Sequence, residues 1–326
     1  MTLMRAISQD AFGGPEVLRS VRLPRPEPLP TEVLVRVVSA GINPVDVKTR
    51  EGGGMAGVLG EPPFVLGWDV SGVVEEIGFG VHTLRPGDEV YGMPWFPRRA
   101  GGFAEYVTAP SRQFALKPRS VGHDEAAAVP LAALTAWQAL VDAADVRPGQ
   151  RVLVHAAAGG VGHFAVQFAK HLGAHVIGTA REGKHEWLRG LGADELIDYT
   201  AGPFEKEVGE VDVVVDLVGD GHDSTSTRSL DVLVPGGLLL AIPSGVSPDL
   251  LRQAEKRGLR ASAFLVEPDG PALARIARLI DEGHVEVGVE EVLPLERAAE
   301  AHERLATGRT RGKLVLRVGE PGTAAG

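Results

Sequence analysis

The segment RVLVHAAAGGVGHFAVQFAK, residues 151–170, constrains the fold more than any other part of the chain. It begins as a short apolar strand and continues as an amphipathic helix, and small residues join the two. Ala157, Gly159 and Gly162 follow the A-x-G-x-x-G spacing of a dinucleotide-binding turn. Small residues there permit a tight turn and let a pyrophosphate approach the helix start. A glycine-rich turn without a ligand has the same spacing, so the neighbouring elements must decide.

Strand-like and helix-like runs alternate from about residue 122 onward, among them RVLVHA, FAVQFAKHLG, HVIGTA, VDVVVDLVG and GGLLLAI. Strands that read as nearly continuous Val, Leu and Ile predict a parallel sheet covered on both faces. The strands at 151–155 and 175–180 flank the helix at the spacing of a βαβ unit. This context favours a dinucleotide site over an empty turn.

Residues 1 to about 121 show a different sequence pattern. Short alternating runs such as EVLVRVVSAG are separated by turns such as RPEPLP and RPGD, which predicts an irregular β-barrel-like domain. The tail reads as strand, helix, strand and is predicted to rejoin this first domain. The predicted domains are therefore residues 1–121 with 284–326, and residues 122–283.

Bulk properties exclude several classes of function. The net charge of −10 argues against a general nucleic-acid binder. The N-terminus shows no secretory signal pattern, and no run approaches the length of a membrane span. The chain has no cysteine, which excludes disulfides and thiolate–metal sites. A cytoplasmic enzyme is the default expectation.

The end of the second predicted strand indicates which dinucleotide binds. An NAD site usually carries Asp or Glu about 20 residues after the glycines, whereas HVIGTAREGKH places Arg181 and Lys184 there. Two cations suit a 2′-phosphate and favour NADPH. Glu182 between them opposes this interpretation, and cations that merely face solvent stay an alternative. Tyr199 either packs against the adenosine or is ordinary packing.

Residues 149–170 resemble the signature of the quinone oxidoreductase / zeta-crystallin group of the medium-chain dehydrogenase/reductase superfamily. The resemblance extends along nearly the full chain, through AFGGPEVL, VSAGINPVDVKTREG, LGWDVSGVVEEIG and GKLVLRV. It implies an α/β fold in which a Rossmann doubly wound parallel sheet is inserted in a GroES-like β-barrel domain. It also implies a homodimer, and we expect strands near 236–265 to pair across its two-fold axis.

The resemblance bears on metal binding as well. Zinc-dependent relatives carry metal ligands at positions that correspond here to Asn43, Trp68 and Asp69. A zinc site needs three or four converging ligands, and neither cysteines nor suitably spaced histidines are present near these positions. The sequence therefore predicts no metal.

Hydride transfer to a conjugated carbonyl develops negative charge on oxygen, which requires preorganised donors. The resemblance implies Asn43, Lys48 and Thr135 as catalytic candidates. Asn43 either donates to the substrate oxygen or only caps the turn GINPVD, which Asp46 is expected to close. Lys48 stands where many relatives carry Tyr, and a solvated lysine is the alternative.

The candidate cofactor-binding residues combine the glycine motif, the cationic strand end and the family resemblance. They are Ala157, Gly159, Gly160, Val161, Gly162, Thr179, Arg181, Lys184, Tyr199, Val218, Ser244, Phe264, Val266 and Lys313. A loop containing Trp95, Phe96 and Arg98 is a candidate cover for a flat, apolar substrate.

The sequence thus predicts an NADPH-dependent oxidoreductase that transfers hydride to a quinone or an α,β-unsaturated carbonyl without zinc. Two alternatives stay open: an enoyl-thioester reductase, and an NADPH-binding structural or regulatory protein with little turnover. The expected partners are a small-molecule quinone or enone and a second copy of the chain, with no nucleic acid and no membrane.

Overall fold

The computed structural model describes residues 2–221, 223–243 and 245–320. The chain divides into two compact units. The first takes in the chain up to Leu134, the segment Glu267–Gly283 and the chain from Val287 onward, and the second takes in Thr135–Val266 and His284–Glu286. None of the helices in the described residues combines the length and apolar content that crossing a lipid bilayer requires.

Strands and helices are numbered in chain order. The strands are β1 (Leu3–Gln9), β2 (Leu18–Pro24), β3 (Glu32–Ile42), β4 (Phe64–Val65), β5 (Asp69–Ile77), β6 (Glu89–Gly92), β7 (Tyr106–Pro110), β8 (Phe114–Leu116), β9 (Arg151–Val154), β10 (His175–Thr179), β11 (Glu195–Ile197), β12 (Val211–Asp216), β13 (Leu233–Ala241), β14 (Arg260–Ala263), β15 (Val289–Pro294) and β16 (Lys313–Arg317). The α-helices are α1 (Pro44–Arg50), α2 (Ala56–Leu59), α3 (His123–Ala127), α4 (Pro130–Trp137), α5 (Gly162–His171), α6 (His185–Gly190), α7 (Thr225–Ser229), α8 (Pro248–Lys256), α9 (Gly270–Asp281) and α10 (Ala298–Ala306).

The second unit contains a parallel sheet. Within the described residues its strand order is β11-β10-β9-β12-β13-β14, and every pairing is parallel. Counted from β9, this is the 3-2-1-4-5-6 order of doubly wound dinucleotide-binding sheets. The predicted α/β architecture is confirmed. The order reverses at β9, because β10 and β11 lie on one side of it and β12, β13 and β14 on the other.

The central strands of this sheet form because both of their faces are buried. Val152, Leu153 and Val154 of β9 are fully buried, as are Val214 and Val215 of β12. Burial on two faces explains why the sequence shows continuous apolar runs instead of alternation. Removing this apolar surface from water is the main stabilising contribution to the unit.

The first unit is built from mainly antiparallel sheets. In the described residues β1 pairs with β2 and β4, and a larger sheet runs in the order β15-β16-β3-β5-β6-β8, with β7 also on β3. Strand β16 is antiparallel to β3, with Leu314 opposite Ile42. The C-terminal strand therefore rejoins the N-terminal part of the chain, as predicted.

The extents of the compact units differ from the predicted domains at residues 122–134, 267–283 and 284–286. Helix α3 packs on β3 and β5, and α9 packs on β8, so both belong to the first unit. The apolar segment 124–144 does not form one continuous helix, since Pro130 starts the new helix α4. Proline has no N–H to donate and its ring clashes with the preceding turn.

Helix α5 approaches β9 closely at one glycine. A Cβ on Gly162 would lie 2.4 Å from the carbonyl oxygen of Ala156 and 2.7 Å from the Cα of Ala157. Both obstacles are backbone atoms, which cannot rotate away as a flexible side chain can. The sequence therefore needs glycine at this position for the helix to begin where it does.

We expect Gly162→Ala to destabilise the chain by about 1–3 kcal/mol, because the added methyl group forces the helix away from the strand. Gly190→Ala in α6 is the matched control, since a Cβ there meets nothing within 4 Å. The control should leave stability unchanged or raise it by up to about 1 kcal/mol. Urea unfolding followed by circular dichroism measures both, and equal midpoints for the two variants would contradict the close approach.

Candidate active site

The predicted dinucleotide turn lies between β9 and α5 in the second unit. The N–H of Gly159 donates to the carbonyl of Ala156 at 2.9 Å, and Ala156 has φ +48°. The N–H of Ala157 donates to the carbonyl of Thr179 at 3.0 Å, which ties the turn to the end of β10. Ala157 is fully buried, whereas Gly159 and Gly160 are half-buried. The backbone of the two glycines is thus partly accessible, whereas Ala157 packs in the interior.

Helix α5 begins directly after these glycines, with Val161 as its N-terminal cap residue and Gly162 as its first residue. In the first turn of α5 the N–H of His163 already donates to the carbonyl of Gly159 at 3.1 Å. The partial positive charge of a helix start, with N–H groups that have no acceptor within the helix, suits an anion.

A buried histidine, His155, directly precedes the turn and contacts side chains on both sides of it. His155 Nε2 lies 2.9 Å from Ser229 Oγ, and its Nδ1 lies 3.1 Å from Thr179 Oγ1. The Ser229 hydroxyl donates to the carbonyl of Thr225 at 2.7 Å, so it accepts from Nε2–H, and Nδ1 accepts the Thr179 hydroxyl. Burial lowers the pKa of His155 to about 4, which keeps the imidazole neutral. Thr179 therefore helps to fix the ends of β9 and β10.

The cationic pair predicted to select NADPH lies after β10. Arg181 is exposed and its Nε donates to the hydroxyl of Tyr199 at 3.2 Å. Lys184 is half-buried. The backbone N–H of Glu182 donates to the carboxylate of Asp198 at 3.1 Å. The structure thus brings Arg181 and Tyr199 together and leaves the guanidinium open to solvent.

Several further candidates follow the later strands of the same sheet. Val218 is 40% exposed, and its N–H donates to the Asp216 carboxylate at 2.8 Å. Phe264 is half-buried and packs in a small apolar cluster with Ala139 and with Leu238 and Leu240 of β13. Val266 is buried. The candidate Ser244 lies outside the described residues.

The catalytic candidate Asn43 lies at the end of β3 in the first unit and is 2% exposed. Its Nδ2 donates to Asp69 Oδ2 at 2.8 Å, and its Oδ1 accepts from the Nζ of Lys313. Lys313 also donates to the carbonyl of Ile42 at 2.9 Å and lies 3.3 Å from Asp69 Oδ2. The other oxygen of Asp69 accepts the N–H of Leu131 at 2.7 Å. Burial raises the pKa of Asp69, and the Lys313 ammonium opposes that rise.

The turn that follows Asn43 is closed by Asp46, as predicted. The carboxylate of Asp46 accepts the backbone N–H of Asn43 at 2.8 Å and that of Gly67 at 3.2 Å. The backbone N–H of Asp46 in turn donates to the carbonyl of Asn43 at 2.9 Å. The backbone of Asn43 therefore belongs to the turn, and its side-chain amide contacts Asp69 and Lys313.

The other two catalytic candidates differ in exposure. Lys48 is exposed on α1, and its ammonium makes no hydrogen bond or ion pair with the described residues. Thr135 is buried in α4.

Trp68, which the family resemblance aligns with a zinc-ligand position, is packed in the interior of the first unit. Trp68 is 1% exposed, its indole N–H donates to the carbonyl of Arg98 at 2.7 Å, and its ring meets that of Phe96 edge-on at 5.4 Å. Trp95, in the same loop, donates its indole N–H to the carbonyl of Thr108 at 2.8 Å. The aromatic loop is thus anchored to the sheet of its own unit.

Two family models match the chain: the alcohol dehydrogenase GroES-like domain over residues 29–119 and the zinc-binding dehydrogenase model over residues 191–316. The chain is 35% identical to the zebrafish (Danio rerio) protein named NAD(P)H oxidoreductase RTN4IP1, mitochondrial, over 98% of this chain and 92% of that one. It is 35% identical to the NADPH-dependent alkenal/one oxidoreductase, chloroplastic, of Arabidopsis thaliana, over 96% and 79%. The solved structure of the quinone oxidoreductase from Coxiella burnetii matches with a TM-score of 0.92 and 38% identity, over 97% and 100%.

The chain belongs to the quinone oxidoreductase group of the medium-chain dehydrogenase/reductase family. One of the two models carries zinc in its description, yet within residues 2–221, 223–243 and 245–320 of this oxidoreductase no three His, Asp or Glu side chains are placed to hold a metal ion.

Two polar networks of this oxidoreductase were not predicted: the contact of Asp69 and Lys313 with Asn43, and the contact of His155 with Thr179. The sequence did carry a signal for each. Asp69, Lys313 and His155 are polar residues at the ends of apolar strands, and polar groups buried at such positions need partners.

The carboxyl group of Asp46 gives the oxidoreductase a pH-dependent stability. Burial raises the pKa of Asp46 from 3.8 to about 7, so the folded chain keeps a proton that the unfolded chain releases. The free energy of unfolding therefore falls as pH rises from about 4 to about 7, by ~4 kcal/mol from this group. We expect Asp46→Asn to lose that part of the pH dependence, measured by urea unfolding from about pH 5 to about pH 8.

Comparing the wild-type protein with Asp46→Asn isolates the contribution of Asp46 to the free energy of unfolding. Burial lowers the pKa of His155 to about 4, which makes stability fall as pH drops below 6.5, the opposite direction. That contribution is the same in both chains and cancels. If the free energy of unfolding of both proteins changes with pH in the same way, Asp46 does not titrate in this range.

Proposed function

We propose that this oxidoreductase transfers a hydride from NADPH to a quinone or to the C=C bond of an α,β-unsaturated carbonyl compound, without zinc. The observation that carries the proposal is the glycine turn at the carboxyl end of β9, where the strand order of the sheet reverses. Parallel sheets bind dinucleotides at that point. The relatives named a quinone oxidoreductase and an alkenal/one oxidoreductase support the substrate class.

The turn and the start of α5 fit a pyrophosphate. Gly159 and Gly160 have no side chains to keep the phosphates from the backbone, and Gly162 lets the helix begin against the strand. We assign Ala157 and Val161 to the same cradle through their backbone. The N–H groups of the first helical turn stabilise the negative charge.

The residues after β10 fit a 2′-phosphate. The exposed guanidinium of Arg181 has the planar donor geometry that suits phosphate oxygens, and Tyr199 holds it at 3.2 Å. Lys184 adds a second positive charge three residues later. We propose that these three side chains select NADPH over NADH.

Val218 lies after the carboxyl end of β12, and Phe264 and Val266 lie after that of β14, at the same edge of the sheet as the glycine turn. We propose that Val218 borders the adenosine half, and that Phe264 and Val266 offer backbone partners to the carboxamide. Thr179 keeps this edge in place through its contact with His155. Strands in a parallel sheet end together at one edge, which is why residues so distant in sequence can serve one ligand.

When bound, the cofactor supplies the hydride, and the residues of this chain supply orientation and charge stabilisation. We propose that the amide of Asn43 donates to the substrate oxygen, on which negative charge develops. Thr135 is assigned to the wall of the nicotinamide pocket. The ammonium of Lys48, which is solvent-exposed on α1, is a second candidate donor.

We expect wild-type protein to bind NADPH more tightly than NADH, because Arg181 and Lys184 stand where an acid would hold the ribose. Removing both charges with Arg181→Ala and Lys184→Ala should weaken NADPH by about 100-fold or more and leave NADH nearly unchanged, since charge-assisted hydrogen bonds to phosphate are strong. Fluorescence titration with each cofactor measures the two affinities.

Arg189→Ala is the matched control, since Arg189 is an exposed arginine on α6 of the same unit. It should change neither affinity. Equal weakening of NADPH and NADH in the double variant, or a wild-type preference for NADH, contradicts the assignment of these cations to the phosphate.

We expect Asn43→Ala to lower turnover by roughly 100-fold, the scale for losing one oxyanion donor, with NADPH affinity retained. Activity should also be unaffected by a chelator. Steady-state rates follow the loss of NADPH absorbance with a quinone, an enal and an enoyl thioester, which also identifies the substrate class. Ser39→Ala is the control, because Ser39 is a buried polar residue of the same strand, bonded to Asp124 at 2.6 Å.

Two outcomes decide against this mechanism. Stoichiometric zinc with activity lost on chelation would replace the amide by a metal. Unchanged turnover in Asn43→Ala, with the same result for Ser39→Ala, would reduce Asn43 to a turn residue and pass the donor role to Lys48 or to backbone amides.

We propose a homodimer in which β14 pairs with its copy across a two-fold axis. Within the described residues β14 is the last strand of the parallel sheet, with Arg260, Ser262 and Ala263 exposed. An open strand edge is a template for further pairing. We expect light scattering at micromolar concentration to give twice the mass of one chain, and a single-chain mass would remove the proposal. The cytoplasmic location stays a prediction.

A further inference from the structure

Three buried side chains of the first unit form a closed polar cluster, defined here as Asn43, Asp69 and Lys313. They are 2%, 0% and 3% exposed. The amide nitrogen of Asn43 donates to Asp69 at 2.8 Å, and its amide oxygen accepts from Lys313. The ammonium and the carboxylate oxygen that contact the amide are themselves 3.3 Å apart.

We propose that Asp69 and Lys313 are positioning residues that hold the amide of Asn43 in one orientation for the reduction. The proposal rests on the proposed function, in which that amide donates to the substrate oxygen. The two charges contact opposite ends of the amide. Turning the amide over would place its N–H₂ group against the ammonium and its oxygen against the carboxylate, so both contacts would become repulsive.

The donors of the cluster are almost fully used. A lysine ammonium has three N–H groups, and Lys313 meets three acceptors, the carbonyl of Ile42, Asn43 Oδ1 and Asp69 Oδ2. The amide nitrogen of Asn43 has two N–H groups, of which one donates to Asp69. Among the described residues the second has no hydrogen-bond acceptor. The cluster therefore leaves one oriented polar hydrogen on Asn43.

This arrangement gives Lys313 a role different from the cofactor contact that the family resemblance implies. An ammonium that already meets three buried acceptors has no N–H left for a phosphate. Its positive charge is also matched by the carboxylate beside it. The contacts thus favour action through Asn43 over direct contact with NADPH.

The test uses Lys313→Met, Asp69→Asn and the variant that carries both changes. Each single change leaves a buried charge without its partner, which destabilises a protein strongly. The double variant removes both charges, so we expect its melting temperature to return close to that of the wild type. Its kcat should nevertheless stay about tenfold or more below the wild-type value, since the amide is no longer held. The affinity for NADPH should change by less than about twofold.

Two further variants make the result specific. Lys313→Arg keeps the positive charge and should recover part of the lost kcat. Arg317→Met is the matched control, because Arg317 lies on the same strand β16 and pairs with Asp124, away from the amide. It should leave kcat unchanged.

The outcomes separate the explanations. A double variant that recovers kcat together with stability shows a purely structural pair and overturns the proposal. A loss of NADPH affinity above about tenfold with kcat unchanged at saturation makes Lys313 a cofactor contact and overturns it as well. If Asn43→Ala lowers turnover and the double variant does not, only the positioning role fails. If Asn43→Ala leaves turnover unchanged, the donor role in the proposed function fails first.

Discussion

The buried carboxylate of Asp69 is the constraint on which the first unit depends. A charge removed from water requires partners in the protein, and those of Asp69 come from distant parts of the chain. Asn43 follows β3, Leu131 lies in the first turn of α4, and Lys313 is the first residue of β16. The ammonium reaches the carboxylate because β16 pairs with β3. The C-terminal segment is therefore part of the site's unit and not an appendage to it.

The second unit depends on a different constraint, the close approach of the turn after β9 to α5 and to β10. Gly162 lets α5 begin against the turn, and a Cβ on Gly178 would lie 2.9 Å from the Cβ of Ala157. With the backbones this close, the strand ends can be held by short polar contacts. His155 provides them by bridging Thr179 and Ser229 as a neutral imidazole. Glycine spacing and the buried histidine thus act together to fix the edge at which a dinucleotide would bind.

The sequence predicts a strand or helix well where the pattern of apolar residues reflects burial. It predicts poorly which distant residues a buried side chain contacts. The strands from β9 to β13 were predictable because burial on both faces leaves continuous apolar runs. The placement of α3 and α9 was not, because an amphipathic helix shows which face is buried but not which sheet covers it. Similarly, a lysine at a strand start can be located, but not the acceptors that Lys313 meets. The closing of the turn by Asp46 was predictable because its contact with Asn43 is local.

A site that stabilises an oxyanion with an amide must control the direction of that amide, which a metal site need not do. A zinc ion stabilises an oxyanion from any nearby direction, because a point charge has no orientation. An amide stabilises the same charge only along its N–H bonds, and its dipole is much weaker than a divalent ion. Among the described residues, the one cation beside Asn43 is Lys313, and its charge is balanced by Asp69. The cluster therefore orients the amide of Asn43 without adding net charge. In the proposed mechanism, Asp69 and Lys313 together add little net charge beside the amide of Asn43, but their contacts with its two ends fix which way the amide points.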